Sequence, residues 1–287
     1  MSDQKYPWNR GRSRLIKWKF VALCCATSVF SQYMPFASAL SLGPVTFTDD
    51  TIGPYLDDDF EWDWNTYMPS SEEENMSIAA DPVNPDQKVL HITYQAGEEG
   101  GGEGMAFNAP LNAKYEHLCF EYDVYFDPEF DWVKGGKLPG LCSYEDSPTG
   151  CIENDTFQGF SIRYMWRENG AFYVYVYNPE KVEKCGDYYP ALETSEVYLK
   201  RGQWQHLKQE IYLGKANKHE GYVRVWIDGV LFYEITDIML RSSSDVSING
   251  AAIDSFFGGS DSSWAPKTEQ HAYFDNFAIS RPPALEN

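Results

Sequence analysis

Residues 157–177 read FQGFSIRYMWRENGAFYVYVY, two alternating runs on either side of Glu168-Asn169-Gly170. Successive side chains of a strand point to opposite faces. In the first run Ser161, Arg163 and Met165 therefore share one face, and Phe160, Ile162, Tyr164 and Trp166 share the other. In the second, Tyr173, Tyr175 and Tyr177 oppose Phe172, Val174 and Val176. A three-residue loop over Glu168, Asn169 and a left-handed Gly170 closes a hairpin that sets Arg163 against Tyr175 and Ser161 against Tyr177. A two-residue Asn-Gly turn would pair Arg163 with Val176 and mix the faces, so the longer loop is expected. One face is then apolar. The other carries a serine, an arginine and three tyrosines, a surface suited to a sugar-binding groove.

The chain around this hairpin reads as β from Leu42 onward, with strands expected at 89–95, 118–126, 206–213, 222–227, 230–235 and 271–280. Asp228-Gly229 is a hairpin turn between two of them. The one helical stretch expected is short, over 235–241. Many strands separated by Gly, Pro and Asp turns predict an all-β, two-sheet sandwich or jelly roll. Asp57–Asp59 and Glu72–Glu74 read as solvated acidic loops, and Gly97–Gly104 (GEEGGGEG) as a mobile connector. Asp49, Asp50 and Asp275 lack the ligand spacing of a calcium loop.

The chain has 287 residues and a formal charge of −20. Residues 1–39 carry six Lys/Arg and one Asp, so the remainder stands at −25. Such acidity argues against nucleic acid or an anionic membrane as partner, and a polyanionic substrate would need a locally basic groove. Residues 1–39 read as a signal peptide: a basic stretch from Lys5 to Lys19, a short apolar core over 20–30, and the small-residue site Ala37-Ser38-Ala39. Residues 40–287 are then a single secreted or periplasmic domain, expected to be monomeric and without stable membrane association. Its four cysteines suit disulfides better than metal. Cys142 and Cys151 bracket SYEDSPTG and are expected to pair, and the pairing of Cys119 and Cys185 stays open. Asn75-Met76-Ser77 and Asn154-Asp155-Thr156 are glycosylation sequons, relevant only in a eukaryotic source.

The five histidines are scattered without metal-ligand spacing, and neither a Gly-x-Ser-x-Gly elbow nor a phosphate loop is present. No metal or cofactor is expected. A second stretch stands out at 130–141, FDWVKGGKLPGL, where paired glycines let the backbone pass close to a ligand and Lys137 follows on a path constrained by Pro139. Read alone, it is equally a tight turn with a solvated lysine.

DWVKGGKLPGL at 131–141, FSIRYMWRENG at 160–170, Tyr175-Val176-Tyr177, GQWQH at 202–206, FFGG at 256–259 and YFDNF at 273–277 occur in this order. Together they resemble polysaccharide lyase family 14, whose characterised members are mainly alginate lyases with some glucuronan lyases. The Gly-Gly-Lys-Leu-Pro-Gly element is shared with the glucuronan lyases of family 20. The resemblance spans about residues 60–280. It implies a β-jelly roll with a groove across its concave sheet, and functional residues at Lys137, Ser161, Arg163, Tyr175 and Tyr177.

The residue types suit that chemistry. A uronate polymer can be cut without water by removing the C5 proton, α to the carboxylate, and expelling the 4-oxygen. Arg163 offers a planar fork for the carboxylate and Lys137 a movable charge. Lys134 and Arg167 would make the groove locally basic, with Ser161 and Tyr173 as further substrate contacts. Cations beside Tyr175 and Tyr177 would favour their phenolate forms, making them candidates for base and acid, with Lys137 as an alternative base. The expected partner is an anionic polysaccharide, alginate first and glucuronan second. A non-catalytic sugar-binding module would use the same aromatics without the converging cations. A glycoside hydrolase would need two carboxylates, for which Glu121 and Asp123 on a neighbouring strand are the nearest source.

Overall fold

A computed structural model describes residues 43–69, 73–189, 191–192, 197–259 and 261–282; the leader assigned to 1–39 lies outside them. In chain order the elements are β1 (Gly53–Pro54), α1 (Asp57–Trp64), β2 (Met76–Ala80), β3 (Lys88–Tyr94), β4 (Met105–Tyr115), β5 (His117–Phe126), β6 (Gly135–Cys142), β7 (Ser161–Arg167), β8 (Phe172–Tyr177), β9 (Asp187–Tyr189), β10 (Trp204–Tyr212), β11 (Gly221–Ile227), β12 (Val230–Ile238), β13 (Ile248–Phe257) and β14 (Gln270–Ser280). They form the two antiparallel sheets of a β-jelly roll. One has eight strands in the order β1-β2-β3-β14-β5-β10-β11-β12, the other six in the order β4-β13-β6-β7-β8-β9.

The hairpin of β7 and β8 closes as its sequence dictates. Arg167 N donates to Ala171 O at 2.7 Å, and Asn169 and Gly170 take positive φ values of 60° and 82°. The register therefore sets Arg163 against Tyr175 and Ser161 against Tyr177. Ile162, Tyr164, Trp166, Phe172, Val174 and Val176 enter the core between the sheets. Trp166 packs there with Tyr94, Phe126, Phe130 and Phe257.

β6 runs through the middle of the six-stranded sheet although it contains Pro139. Its ladder with β7 shifts register between Leu138 and Leu141, which accommodates the missing N–H. Gln209, fully buried on β10, crosses the sandwich to this irregularity: its Oε1 accepts from Leu141 N at 2.8 Å and its Nε2 donates to Ile162 O at 3.0 Å. The paired glycines ahead of Lys137 serve this packing rather than a ligand. A Cβ on Gly136 would lie 2.1 Å from Trp166 Cζ2.

Three local expectations are corrected. Asp57–Asp59 form the first turn of α1, where carboxylates favour the helix dipole, and Phe60 and Trp64 one turn apart are buried beneath it. Residues 235–241 hold no helix: β12 continues to Ile238 through a register shift against β11. The glycine-rich 97–104 segment is pinned, with Gly97 N donating to Pro266 O, Gly100 N to Phe257 O, and Asn75 Nδ2 to Gly102 O. Asn75 is thereby buried within its sequon.

Candidate active site

Four neighbouring strands carry a cleft of about 600 Å³ on the face of the six-stranded sheet that points away from the core. Its floor is Lys137 on β6, Arg163 and Met165 on β7, Tyr175 and Tyr177 on β8, and Asp254 on β13. Loops 143–160 and 178–186 form its lip.

Lys137 Nζ donates to Met165 Sδ at 2.8 Å and sits 3.9 Å from the centroid of the Tyr175 ring. Burial, reinforced by the charge of Arg163, holds its amine well below the usual lysine range. Arg163 is 3% exposed, and its Nη1 donates to Asp254 Oδ2 at 2.5 Å. Burial alone disfavours the guanidinium charge, but Asp254 outweighs it and Arg163 stays firmly cationic. One arm of the expected carboxylate fork is thus already taken, while Nε is buried without a partner.

The two phenols lie edge to face, with ring centroids 5.3 Å apart. Tyr177 Oη donates to Gly150 O at 2.5 Å, and the two hydroxyl oxygens are 3.2 Å apart. With the Tyr177 proton directed to Gly150, the Tyr175 hydroxyl is the donor within the pair. Tyr175 Oη also accepts from Gly186 N at 2.8 Å. The expectation that adjacent cations favour both phenolates fails for Tyr177. Burial pushes its phenol well above the usual range, Tyr175 adds to this, and Arg163 opposes it only in part.

Among the other expected contacts, Arg167 lines the cleft. Its Nη1 donates to Tyr188 Oη at 3.2 Å and its guanidinium carbon lies 4.8 Å from the Trp264 ring centroid. Tyr173 faces an adjoining depression of about 570 Å³ whose wall shares Arg167 and Tyr188 with the cleft. Lys134 stands outside both, its Nζ donating to Ser263 Oγ at 2.5 Å. Ser161 has the right face of β7 but is fully buried, with its Oγ donating to Pro148 O at 2.7 Å. It holds the lip loop instead of lining the cleft. Glu121 and Asp123 lie on the other sheet, against Lys208 and His206.

The cysteine pairing is corrected as well. Cys151 bonds Cys185 across 34 residues, and Cys142 and Cys119 are free and buried. Cys142 is fixed in β6 between β13 and β7, whereas loop 143–160 carries Cys151 to the lip, beside the second loop. Among the described residues no group of three or more His, Cys, Asp or Glu is placed to hold a metal ion. No helix among them is long and apolar enough to cross a membrane.

Sequence reasoning missed Asp254, Tyr188, Trp264, Gly150 and Gly186. Asp254 left one signal: it is the sole charge in the otherwise apolar and small run INGAAIDSFF. The lip residues left none, since their place depends on which loops meet.

A jelly roll with cations and phenols gathered in a cleft on one sheet suits a protein that handles an anionic polymer. The chain belongs to polysaccharide lyase family 14, whose family model matches residues 82–277; it is a polysaccharide lyase. Among solved structures, alginate lyase Aly36B superposes with a TM-score of 0.73 at 21% identity, covering 87% of this chain and 100% of its own. A variant of that lyase with a lysine and a methionine replaced by alanine has been solved with an alginate trisaccharide. The PL-14 alginate lyase from Aplysia kurodai gives 0.68 at 21% identity, covering 84% and 99%. Alginate lyase vAL-1 from Chlorella virus gives 0.55 at 18%, covering 74% and 96%. At these identities the likeness concerns the fold. No curated protein matches the chain.

Proposed function

We propose that this chain, exported and freed of its first 39 residues, cleaves alginate by β-elimination across the 4-linkage. The observation that carries the reading is the convergence of Lys137, Arg163, Tyr175 and Tyr177 on one cleft. The lipped groove, the family, and the alginate-cleaving neighbours in fold support alginate as the polymer. The Cys151–Cys185 bond suits an oxidising compartment.

The geometry divides the work. Lys137, with its amine held well below the ordinary range by burial, takes the C5 proton as base. The electron pair left on C5 expels the 4-oxygen, forming the 4,5 double bond. Tyr175, the donor of the phenol pair, supplies the proton that the leaving oxygen needs. The phenolate left on Tyr175 keeps the Gly186 N–H as a donor and the Arg163 guanidinium 6.0 Å from its ring centroid. Arg163 also faces the substrate carboxylate, whose charge grows as the proton leaves. Arg167, with Tyr188 and Trp264, holds a further carboxylate-bearing sugar along the groove.

The test is the ultraviolet absorbance of the unsaturated uronate end, measured with purified alginate and glucuronan. Product from alginate, with loss of turnover in Lys137→Ala, is the expected outcome. Product from glucuronan alone would transfer the substrate and keep the mechanism. Binding of alginate with no double bond formed would make this a sugar-binding protein and refute the proposal.

A further inference from the structure

We propose that the Cys151–Cys185 disulfide is a positioning element of the reaction, clamping two backbone groups onto the paired phenols of the cleft. The inference rests on the reading of Tyr175 and Tyr177 given above. Each half-cystine is followed or preceded by the glycine that touches a phenol. Gly150, before Cys151, presents its carbonyl to Tyr177 Oη at 2.5 Å. Gly186, after Cys185, presents its N–H to Tyr175 Oη at 2.8 Å. The two loops come from different places, 143–160 linking β6 to β7 and 178–186 linking β8 to β9. The bond joins them with a Cα separation of 4.1 Å, one residue away from both contacts.

Each loop is braced on its own strands. Ser161 Oγ holds Pro148 O at 2.7 Å, and Asp146 Oδ2 accepts from Gln158 N and Gly159 N. In the second loop, Asp187 accepts from Val182 N and Glu183 N. Asn154 Nδ2 donating to Lys181 O at 2.7 Å is a further tie between the loops. The disulfide is the covalent tie between them, and it lies next to the phenols. Gly186 also shows how tightly the second loop sits: a Cβ there would fall 2.7 Å from Tyr177 Cε2 and 2.8 Å from Tyr175 Cζ. Even a methyl group must move a ring.

With the clamp open, the Gly186 donor leaves Tyr175 and the Gly150 acceptor leaves Tyr177, and the proton order along the pair is lost. Misplacement of a reacting group by about 1 Å costs up to about a hundredfold in rate. The surviving Asn154 tie sets the expectation lower, at about tenfold.

The experiment compares the wild type, the wild type reduced with dithiothreitol, Cys151→Ala/Cys185→Ala and Gly186→Ala, all with folding checked by thermal melts. Cys151 is exposed, so the reductant reaches it. In the double variant and the reduced wild type, kcat on the polymer should fall about tenfold with KM changed little, and the alkaline limb of the kcat–pH profile should move. Dithiothreitol should do nothing further to the double variant. Gly186→Ala should lose turnover with its disulfide intact. A readout without substrate, the phenolate ultraviolet titration, should show one more tyrosine, Tyr177, ionising before unfolding once the bond is opened. If the wild type makes no unsaturated product but this titration changes, the functional reading fails and the clamp stands. Unchanged kcat and an unchanged titration in folded, disulfide-free protein overturn the clamp. Should the double variant not fold, the reduced wild type decides by the same criteria.

Discussion

Each sheet turns a row of charged and aromatic side chains away from the core, and only one of the two rows forms a cleft. On the eight-stranded sheet three cations meet carboxylates while still wetted by solvent. His206 lies 2.7 Å from Asp123, Lys208 3.5 Å from Glu121, and Arg224 2.8 Å from Glu234. Trp204, Tyr125, Tyr273 and His91 stand side by side on adjacent strands of the same face. On the six-stranded sheet the same residue types are taken out of water. Arg163 is buried with Asp254, and Lys137 has no carboxylate partner among the described residues, only a thioether and an aromatic ring. Residue type does not separate the two surfaces; desolvation does. An exposed ion pair contributes about 0–1 kcal/mol. A buried, unmatched amine keeps its lone pair accessible for chemistry.

The comparison is broken most directly at the two lysines. Lys137→Met should lower kcat by about a thousandfold, within the range that a general base supplies. Lys208→Met, in the other row, should leave kcat unchanged. Rates of unsaturated product formation measure both, and a large loss in the Lys208 variant would show that the outer face also handles substrate. The tyrosines sharpen the same contrast within the cleft. Tyr175→Phe should cost about a hundredfold in kcat. Tyr177→Phe should cost about tenfold, because its proton is given to Gly150 O rather than to the pair. Equal losses would overturn that order.

The arginines compare the faces by stability. Arg163→Met strands Asp254 beneath the cleft, and breaking a buried pair in this way costs about 3 kcal/mol. Arg224→Met removes an exposed partner of Glu234 and should cost less than about 1 kcal/mol. Denaturant titration reads both. Similar costs would mean that the Arg163–Asp254 pair is solvated enough to behave as a surface pair.

Strand period made much of this legible. Alternation over 157–177 fixes which side chains enter the core, and the loop length fixes the register, because both are local geometry. Locality is also where legibility ended. Cys142 and Cys151 are close in sequence, yet one is locked in β6 and the other is on the lip, where it meets Cys185. Asp254 comes from β13, two strands across from Arg163, so nothing near Arg163 in sequence announces its counter-ion. Ser161 obeys the alternation and still misses the cleft, because loop 143–160 folds over it. Asp57–Asp59 read as a solvated acidic loop until the one-turn spacing of Phe60 and Trp64 is matched to a core waiting beneath them.

The smallest effect concerns protons on the outer face. His91 Nε2 is 3.0 Å from His271 Nδ1, Ser77 Oγ is 3.0 Å from His91 Nδ1, and its ring stacks on Tyr273 at 4.8 Å. Burial, with His271 adding and Asp127 opposing, lowers its pKa to about 4, against about 6.5 in an unfolded chain. Between those values the unfolded state binds the proton and the native state does not, so stability rises with pH across that window. On acidification stability is lost from about pH 6.5 down to about 4, and below that the contribution is level. Asp63 and Asp275, raised by burial to about 6, act with the opposite sign: the native state holds the extra proton, so stability falls as pH rises toward 6. The whole-protein slope mixes these, and the difference between the wild type and His91→Gln isolates the histidine. The variant's melting temperature should fall less than that of the wild type between pH 6.5 and 4, while kcat at pH 6.5 stays the same. Identical slopes would show that His91 protonation is not linked to folding. A lowered kcat in the folded variant would tie the outer face to the reaction and remove the division between the two sheets.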